Sequence, residues 1–167
     1  MEDFIKIYEE YYRDVFRFLN KLSGYNADLA EELTQETFYH AYLSLTAFKG
    51  QCHIKTWILQ IAKNRFFTYC RKNRQVPLGV EELESELTGE SLWDKIGDRQ
   101  LLMSAWKIIE SMAPAMRDIM IYRIYSDLSY HQISQWLGIT ENSAKVIYYR
   151  GKNLLRTRLR EEYGYEI

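Results

Sequence analysis

Apolar residues recur along this chain at three- and four-residue spacing almost from end to end, the periodicity of helices packed on one face. In residues 3–22, Phe4, Tyr8, Tyr11, Val15, Leu19 and Leu22 form one stripe, and Ser23-Gly24 ends it. In residues 27–46, Ala30, Leu33, Thr37, Phe38, Ala41 and Leu45 form the next, with Asn26 placed to cap the helix start. A short loop, 46–53, turns at Gly50. Residues 54–74 then carry two stripes. Ile54, Ile58, Ile61, Ala62, Arg65 and Tyr69 are mostly apolar and predict a core face. Thr56, Gln60, Lys63, Phe67, Arg71 and Arg74 predict a basic outer face with one aromatic ring exposed inside it. Pro77 stops this helix.

Periodicity resumes at 100–113 with Leu102, Ala105, Trp106, Ile109 and Met112, breaks at Pro114, and returns in 115–126. Ser129 and Gln132 have the spacing of a capping box, opening a short helix with Ile133, Trp136 and Leu137 apolar. Gly138-Ile139-Thr140 is a tight turn, and Thr140 caps a last helix from Glu141 to about Glu161. In it Ala144, Tyr148, Gly151 and Leu155 point inward, while Asn142, Ser143, Lys145, Val146, Tyr149 and Lys152 point outward. Short helix, glycine turn and second helix are the helix-turn-helix plan. The expected fold is all-α: two small helical domains, 1–76 and 100–167, joined by a linker, 77–99, with the helix-turn-helix in the second.

Charge changes this picture more than composition does. The net charge is −1. It conceals five Lys/Arg and no acid in 61–76, seven acids against two bases in 77–100, and six Lys/Arg without an acid in 142–160. Two basic patches flanking an acidic strip are a statement about partners. The two cysteines, Cys52 and Cys70, make neither a disulfide framework nor a zinc spacing, and no metal or cofactor is expected. The N-terminus lacks the pattern of a signal peptide, and no apolar run is long enough for a bilayer, so a cytoplasmic protein is expected.

Each charged feature has two readings. The basic stripe of 54–74 is either a solvated face or a surface where cations hold phosphates while Phe67 stacks on a base. Asp28, Glu31, Glu32, Gln35 and Glu36 crowd the start of the second helix; they either complement its dipole or form an acidic docking face. The helix-turn-helix is either a plain hairpin with a basic tail or a duplex reader, whose N-terminal residues reach base edges while Arg150 and later cations hold phosphate. A stand-alone repressor and a metal-dependent nuclease built on Asp28, Glu31, Glu32 and Glu36 are the rival functions.

The runs DLAEELTQETFYHAYLSL, AFKGQCHIKTWILQIAKN and LSYHQISQWLGITENSAKVIYYRGKNLLRTRL, in this order around an acidic linker, resemble the extracytoplasmic-function sigma factors of bacterial RNA polymerase. The resemblance implies a promoter-specificity subunit and not an enzyme. It implies that Asp28, Glu31, Glu32, Gln35 and Glu36 dock on the clamp helices of the largest polymerase subunit. Lys49, Gln51, His53, Lys63, Asn64, Phe67, Arg71 and Lys72 would read the single-stranded −10 element. Asn142, Ser143, Lys145, Val146, Tyr149, Arg150 and Lys152 would read the −35 duplex. Residues around Met112–Ile119 would meet the polymerase flap, and an anti-sigma factor would cover the polymerase-binding faces. Ser134, Ala144 and Gly151 depart from the usual pattern, so base contacts of the last helix do not transfer residue by residue.

Overall fold

The computed structural model describes residues 1–73 and 99–166. The helix end at Arg74 and Pro77, residues 77–98 of the expected linker with Trp93, and the side chain of Leu102 lie outside the described residues; the last expected linker residue, Arg99, begins a helix. Among the described residues every regular element is helical: α1 (Glu2–Leu22), α2 (Ala27–Ser44), a 3-10 turn (Leu45–Ala47), α3 (Ile54–Asn73), α4 (Arg99–Ser111), α5 (Pro114–Tyr125), α6 (Tyr130–Leu137) and α7 (Glu141–Tyr163).

Helix starts follow local chemistry. Asn26 Oδ1 accepts the Leu29 N–H and opens α2. Ser129 and Gln132 form the reciprocal capping box that opens α6, and Thr140 Oγ1 accepts the Ser143 N–H at the head of α7. Pro114 occupies the first turn of α5, where its missing N–H has no partner to lose.

The first three helices pack on one another. Tyr11, Val15, Phe18, Leu19 and Leu22 of α1 meet Leu29, Ala30, Leu33, Phe38 and Ala41 of α2. The third wall is Leu59, Ala62, Phe66 and Cys70 of α3, with Ile58 beside them. This corrects the expected core face by one residue. Ile61, Arg65 and Tyr69 are only partly buried, whereas Leu59, Phe66 and Cys70 fill the centre. Both stripes of α3 are rich in large side chains, so periodicity alone cannot choose between them; the packing of α3 against α1 and α2 does.

In the second group α7 lies across α4, α5 and α6. Ala144, Tyr148, Gly151, Leu155 and Leu159 are its buried line, the four expected residues and one more turn. The mid-helix glycine lies where the methionines of α5 pack closely. A Cβ built on Gly151 would sit 2.8 Å from Met120 Sδ and 3.3 Å from Met116 Cγ.

The two groups share a seam. The expected outer stripe of α3 faces it. Thr56 is fully buried and Lys63 is 4% exposed. Gln60 Oε1 accepts the Tyr122 hydroxyl, and Lys63 Nζ donates to Asp118 Oδ1 at 2.7 Å. Phe67, expected to be exposed, lies against the Trp106 ring. Phe18 of α1 stacks on Tyr122 at 6.1 Å, and Lys55 Nζ bridges Asp14 and Asp127. A polar stripe was thus buried by a second polar surface, which no periodicity announces.

Candidate nucleic-acid interface

Three surfaces gather the residues picked out in the sequence. The first is α2. Asp28, Glu31, Glu32, Gln35 and Glu36 are all exposed on it. Glu31 accepts from the Tyr12 hydroxyl at 2.9 Å; burial, then this bond, pushes the phenol up to about 12. Glu36 lies 3.9 Å from Arg65. Beyond the acids the same helix exposes Tyr39, Tyr42 and Leu43, which the sequence reading passed over. Their signal was present: three large apolar side chains off the buried stripe.

The second surface runs along α3 and the loop before it. Lys49, Gln51, His53, Asn64, Arg71 and Lys72 are exposed. They do not form one cluster, because α3 rises about 27 Å from Ile54 to Lys72. Lys49, Gln51 and His53 sit at its head. His53 also serves the helix start: its Nδ1 accepts the Lys55 N–H and its carbonyl accepts the Trp57 N–H, both at 3.2 Å.

Asn64, Phe67 and Arg71 line a cleft of about 550 Å³ together with Lys63, Arg65, Cys70, Trp106, Lys107, Glu110 and Arg117. Lys107 and Arg117 come from the second half of the chain and make the cleft more basic than α3 alone. They escaped the sequence reading because only folding brings them beside α3.

Electrostatics distinguish the cleft's floor from its rim. Burial lowers the Lys63 ammonium from its ordinary range, and the bond to Asp118 recovers only part of this. Burial pushes the Cys70 thiol up to about 12, with Glu110 adding to the effect. Lys55 shows the opposite balance: burial alone would lower it, but bonds to Asp127 and Asp14 outweigh burial and raise it.

The third surface is α6–α7. Gly138 takes the left-handed conformation (φ 66°) that reverses the chain after α6, which needs no Cβ. Asn142, Lys145, Val146, Tyr149 and Arg150 are then exposed along one side of α7. Tyr149 is 59% exposed, and Val146 40%. Apolar groups held in water beside cations suit a surface that meets thymine methyls and phosphates. Two expected members are partly engaged elsewhere. The Ser143 hydroxyl accepts from Thr140 at 2.8 Å within the cap, and Lys152 lies over the Tyr148 ring. Lys145 pairs with Glu141 at 3.2 Å on the surface, a contact easily exchanged for phosphate.

Among the described residues no three His, Cys, Asp or Glu side chains come together as a metal site, and no helix is long and apolar enough to cross a membrane.

A helical protein with a basic cleft lined from both halves of the chain and a helix-turn-helix in the second has the features of the class that handles DNA. Its relatives narrow this class. The model for Sigma-70 region 2 matches residues 7–76, and that for Sigma-70, region 4 matches residues 102–155. A probable RNA polymerase sigma factor of Haemophilus influenzae is 32% identical over 152 residues, covering 80% of this chain and 78% of that protein. The ECF RNA polymerase sigma factor SigM of Bacillus subtilis is 25% identical over 151 residues, 90% of this chain and 91% of the relative. Sigma factor RpoE of Bartonella quintana, solved with the anti-sigma factor NepR, shares the fold at a TM-score of 0.52 and 22% identity, over 97% of this chain and 99% of that one. The chain belongs to the RNA polymerase sigma factors, of the ECF type that pairs region 2 with region 4. It directs core polymerase to promoters, as the members of this non-catalytic family do.

Proposed function

We propose that the labour of promoter recognition is divided between residues 1–76 and 100–167, with 77–99 as the connection. The face Asp28, Glu31, Glu32, Gln35 and Glu36 docks on the clamp of core polymerase, and Tyr39 and Leu43 extend it. The loop residues Lys49, Gln51 and His53, with Asn64, Phe67, Arg71, Lys72 and Lys63, hold the melted −10 strand. Asn142, Lys145, Val146, Tyr149 and Arg150 read the −35 duplex, with Ser143 and Lys152 at the margins.

The observation that carries this reading is the separation of the acidic and basic surfaces. All five acidic-face residues are exposed on α2, and of them Glu36 lies beside Arg65 of the acid-free basic stretch of α3. An operator-binding repressor has no use for the acidic face. RNA synthesis itself stays with core polymerase, so this chain supplies recognition and no catalysis. It works in the cytoplasm, where promoter and polymerase are. An anti-sigma factor that covers a polymerase-binding face is the expected regulator; the chain's likeness in fold to RpoE, which was solved bound to NepR, supports it.

Run-off transcription with core polymerase, followed by genome-wide start-site mapping, tests the reading. Start sites sharing two spaced elements are expected. Tight binding of the free chain to a duplex operator, with no polymerase-dependent transcript, would reject it.

A further inference from the structure

The head of α7 carries one acid that the duplex-reading surface leaves unused. Glu141 is exposed, and it is the last carboxylate before the acid-free run 142–160. Its two oxygens are flanked from two elements. Oε1 lies 3.2 Å from Lys145 Nζ, one turn along α7, and Oε2 lies 3.9 Å from His131 Nδ1, in the first turn of α6. The carboxylate therefore stands where the two helices of the helix-turn-helix come together at their heads.

An acid in the first turn of a helix complements its dipole. That role asks for a negative charge and nothing of its surroundings. Here the surroundings are the residues that meet DNA: Asn142 is next along the chain, with Lys145 and Val146 one turn on, all exposed. Once Lys145 exchanges the carboxylate for a phosphate, as a surface pair readily does, Glu141 is left among phosphates. Like charges repel, so such a carboxylate weakens binding to every duplex alike unless it finds a donor.

The DNA backbone offers no donor. In the major groove the donors are the N4 amino group of cytosine and the N6 amino group of adenine. Adenine sets the N7 acceptor beside its amino group, which repels the second carboxylate oxygen. Cytosine presents a donor alone.

We propose that Glu141 is a specificity-determining residue of the −35 reader: its carboxylate accepts a hydrogen bond from the N4 amino group of one cytosine in the major groove and rejects the other bases at that position. The proposal rests on the reading of α7 as the duplex-reading helix. Guanine and thymine turn acceptors toward the carboxylate and leave it unpaired beside phosphates, so Glu141 acts as much by repelling wrong sites as by holding the right one. His131 bounds the carboxylate on the α6 side and limits its swing.

Holoenzyme assembled with the wild-type chain, Glu141→Ala or Glu141→Gln is incubated with promoter duplexes that carry a mapped −10 element and a randomised −35 region. The bound DNA is sequenced, and affinities are measured for single duplexes. In the wild type one position should prefer cytosine by about tenfold. Glu141→Ala should level that position, leave the others as they are, and bind the formerly rejected duplexes more tightly, since the repulsion is gone. Glu141→Gln should move the preference there from cytosine to adenine, because a glutamine amide pairs with N6 and N7 of adenine. Replacing that cytosine by 2-pyrimidinone, which lacks the amino group, should weaken wild-type binding about tenfold and leave Glu141→Ala unaffected.

Circular dichroism and urea unfolding check the fold; should Glu141→Ala fail to fold, Glu141→Gln decides, since it keeps the shape of the side chain. A role confined to the helix dipole lowers the unfolding midpoint and leaves the base profile unchanged in both variants, which overturns the proposal. Loss of preference spread evenly over all positions overturns it as well. Lys145→Ala separates this failure from failure of the −35 reading. If Lys145→Ala weakens duplex binding while the Glu141 variants keep the wild-type profile, only this proposal falls. If Lys145→Ala also leaves binding and profile unchanged, the reading of α7 as the duplex reader falls, and the proposal with it.

Discussion

The rings of Phe67 and Trp106 lie 5.5 Å apart and 20° from parallel, one ring from each half of the chain. A side chain that reads as an exposed base-stacking platform in the sequence is, in this arrangement, stacked on an aromatic partner of its own. Such a pair contributes about 0.5–1.5 kcal/mol beyond area burial. A double-mutant cycle of Phe67→Leu and Trp106→Leu, measured by urea unfolding of the free chain, should return a coupling energy in that range. Strict additivity would mean that the rings do not meet in solution.

Charge reversal on α2 separates docking from folding. Glu32→Arg and Glu36→Arg should each abolish binding to core polymerase in a pull-down while helix content stays unchanged, because both side chains are exposed. Glu32→Arg is the cleaner test, since Glu36 also lies near Arg65. Undiminished binding would remove the clamp assignment.

On α7, Lys145→Ala should weaken holoenzyme binding to the −35 duplex and lower the salt slope of binding by about one, the loss of one phosphate contact. Promoter melting at −10, followed by permanganate reactivity on a template with an intact −10 element, should be unaffected. Loss of both activities, or of neither, contradicts the division between the halves.

At Gly151 two effects compete. Alanine gains about 1 kcal/mol of helix propensity. Its Cβ, however, must displace Met120, which would stand 2.8 Å away, and overpacking costs about 1–3 kcal/mol. A net loss of about 1 kcal/mol is expected for Gly151→Ala in chemical denaturation. It should couple to Met120→Ala, which vacates the contact. A stabilised Gly151→Ala would mean that Met120 yields freely.

The buried acids that titrate late give an alkaline limit. Cys70 has its thiol raised from 9.0 to about 12 by burial, and Tyr11 its phenol from 10.0 to about 12. A group whose folded pKa lies above the unfolded one holds its proton in the native state after the unfolded chain has released it. Its contribution is complete below the unfolded pKa and is lost as pH rises through the folded pKa. Stability by urea unfolding should therefore fall from about pH 9 to about pH 12. Cys70→Ala should flatten that fall between 9 and 10 and lessen it from 10 to 12, where the tyrosine part remains. An unchanged slope there would mean that Cys70 is open to water.

Much of the architecture was legible because it is local. The capping box at Ser129 and Gln132, the turn at Gly138 and the inward line Ala144, Tyr148, Gly151 and Leu155 depend on residues within a few positions of one another, and all appear where expected. The exposure of the acidic α2 face was equally readable, for carboxylates leave water only when paired. The core side of α3 was missed by one residue, because Phe66 and Phe67 are adjacent and equally apolar while only packing against α1 and α2 chooses between them.

The sequence by itself determined the helices, their caps, the segregation of acid from base and, through its resemblance to sigma factors, the partners, core polymerase and promoter DNA. Those properties follow from short-range periodicity and from the cost of burying charge, which residue order encodes directly. Only the tertiary structure decided which stripe of α3 is covered, that Lys63 meets Asp118 across 55 positions, and that Lys107 and Arg117 join the cleft. The reason is physical: two polar surfaces bury each other only when their hydrogen bonds match, and that matching is a property of two helices in space, absent from the pattern of either one.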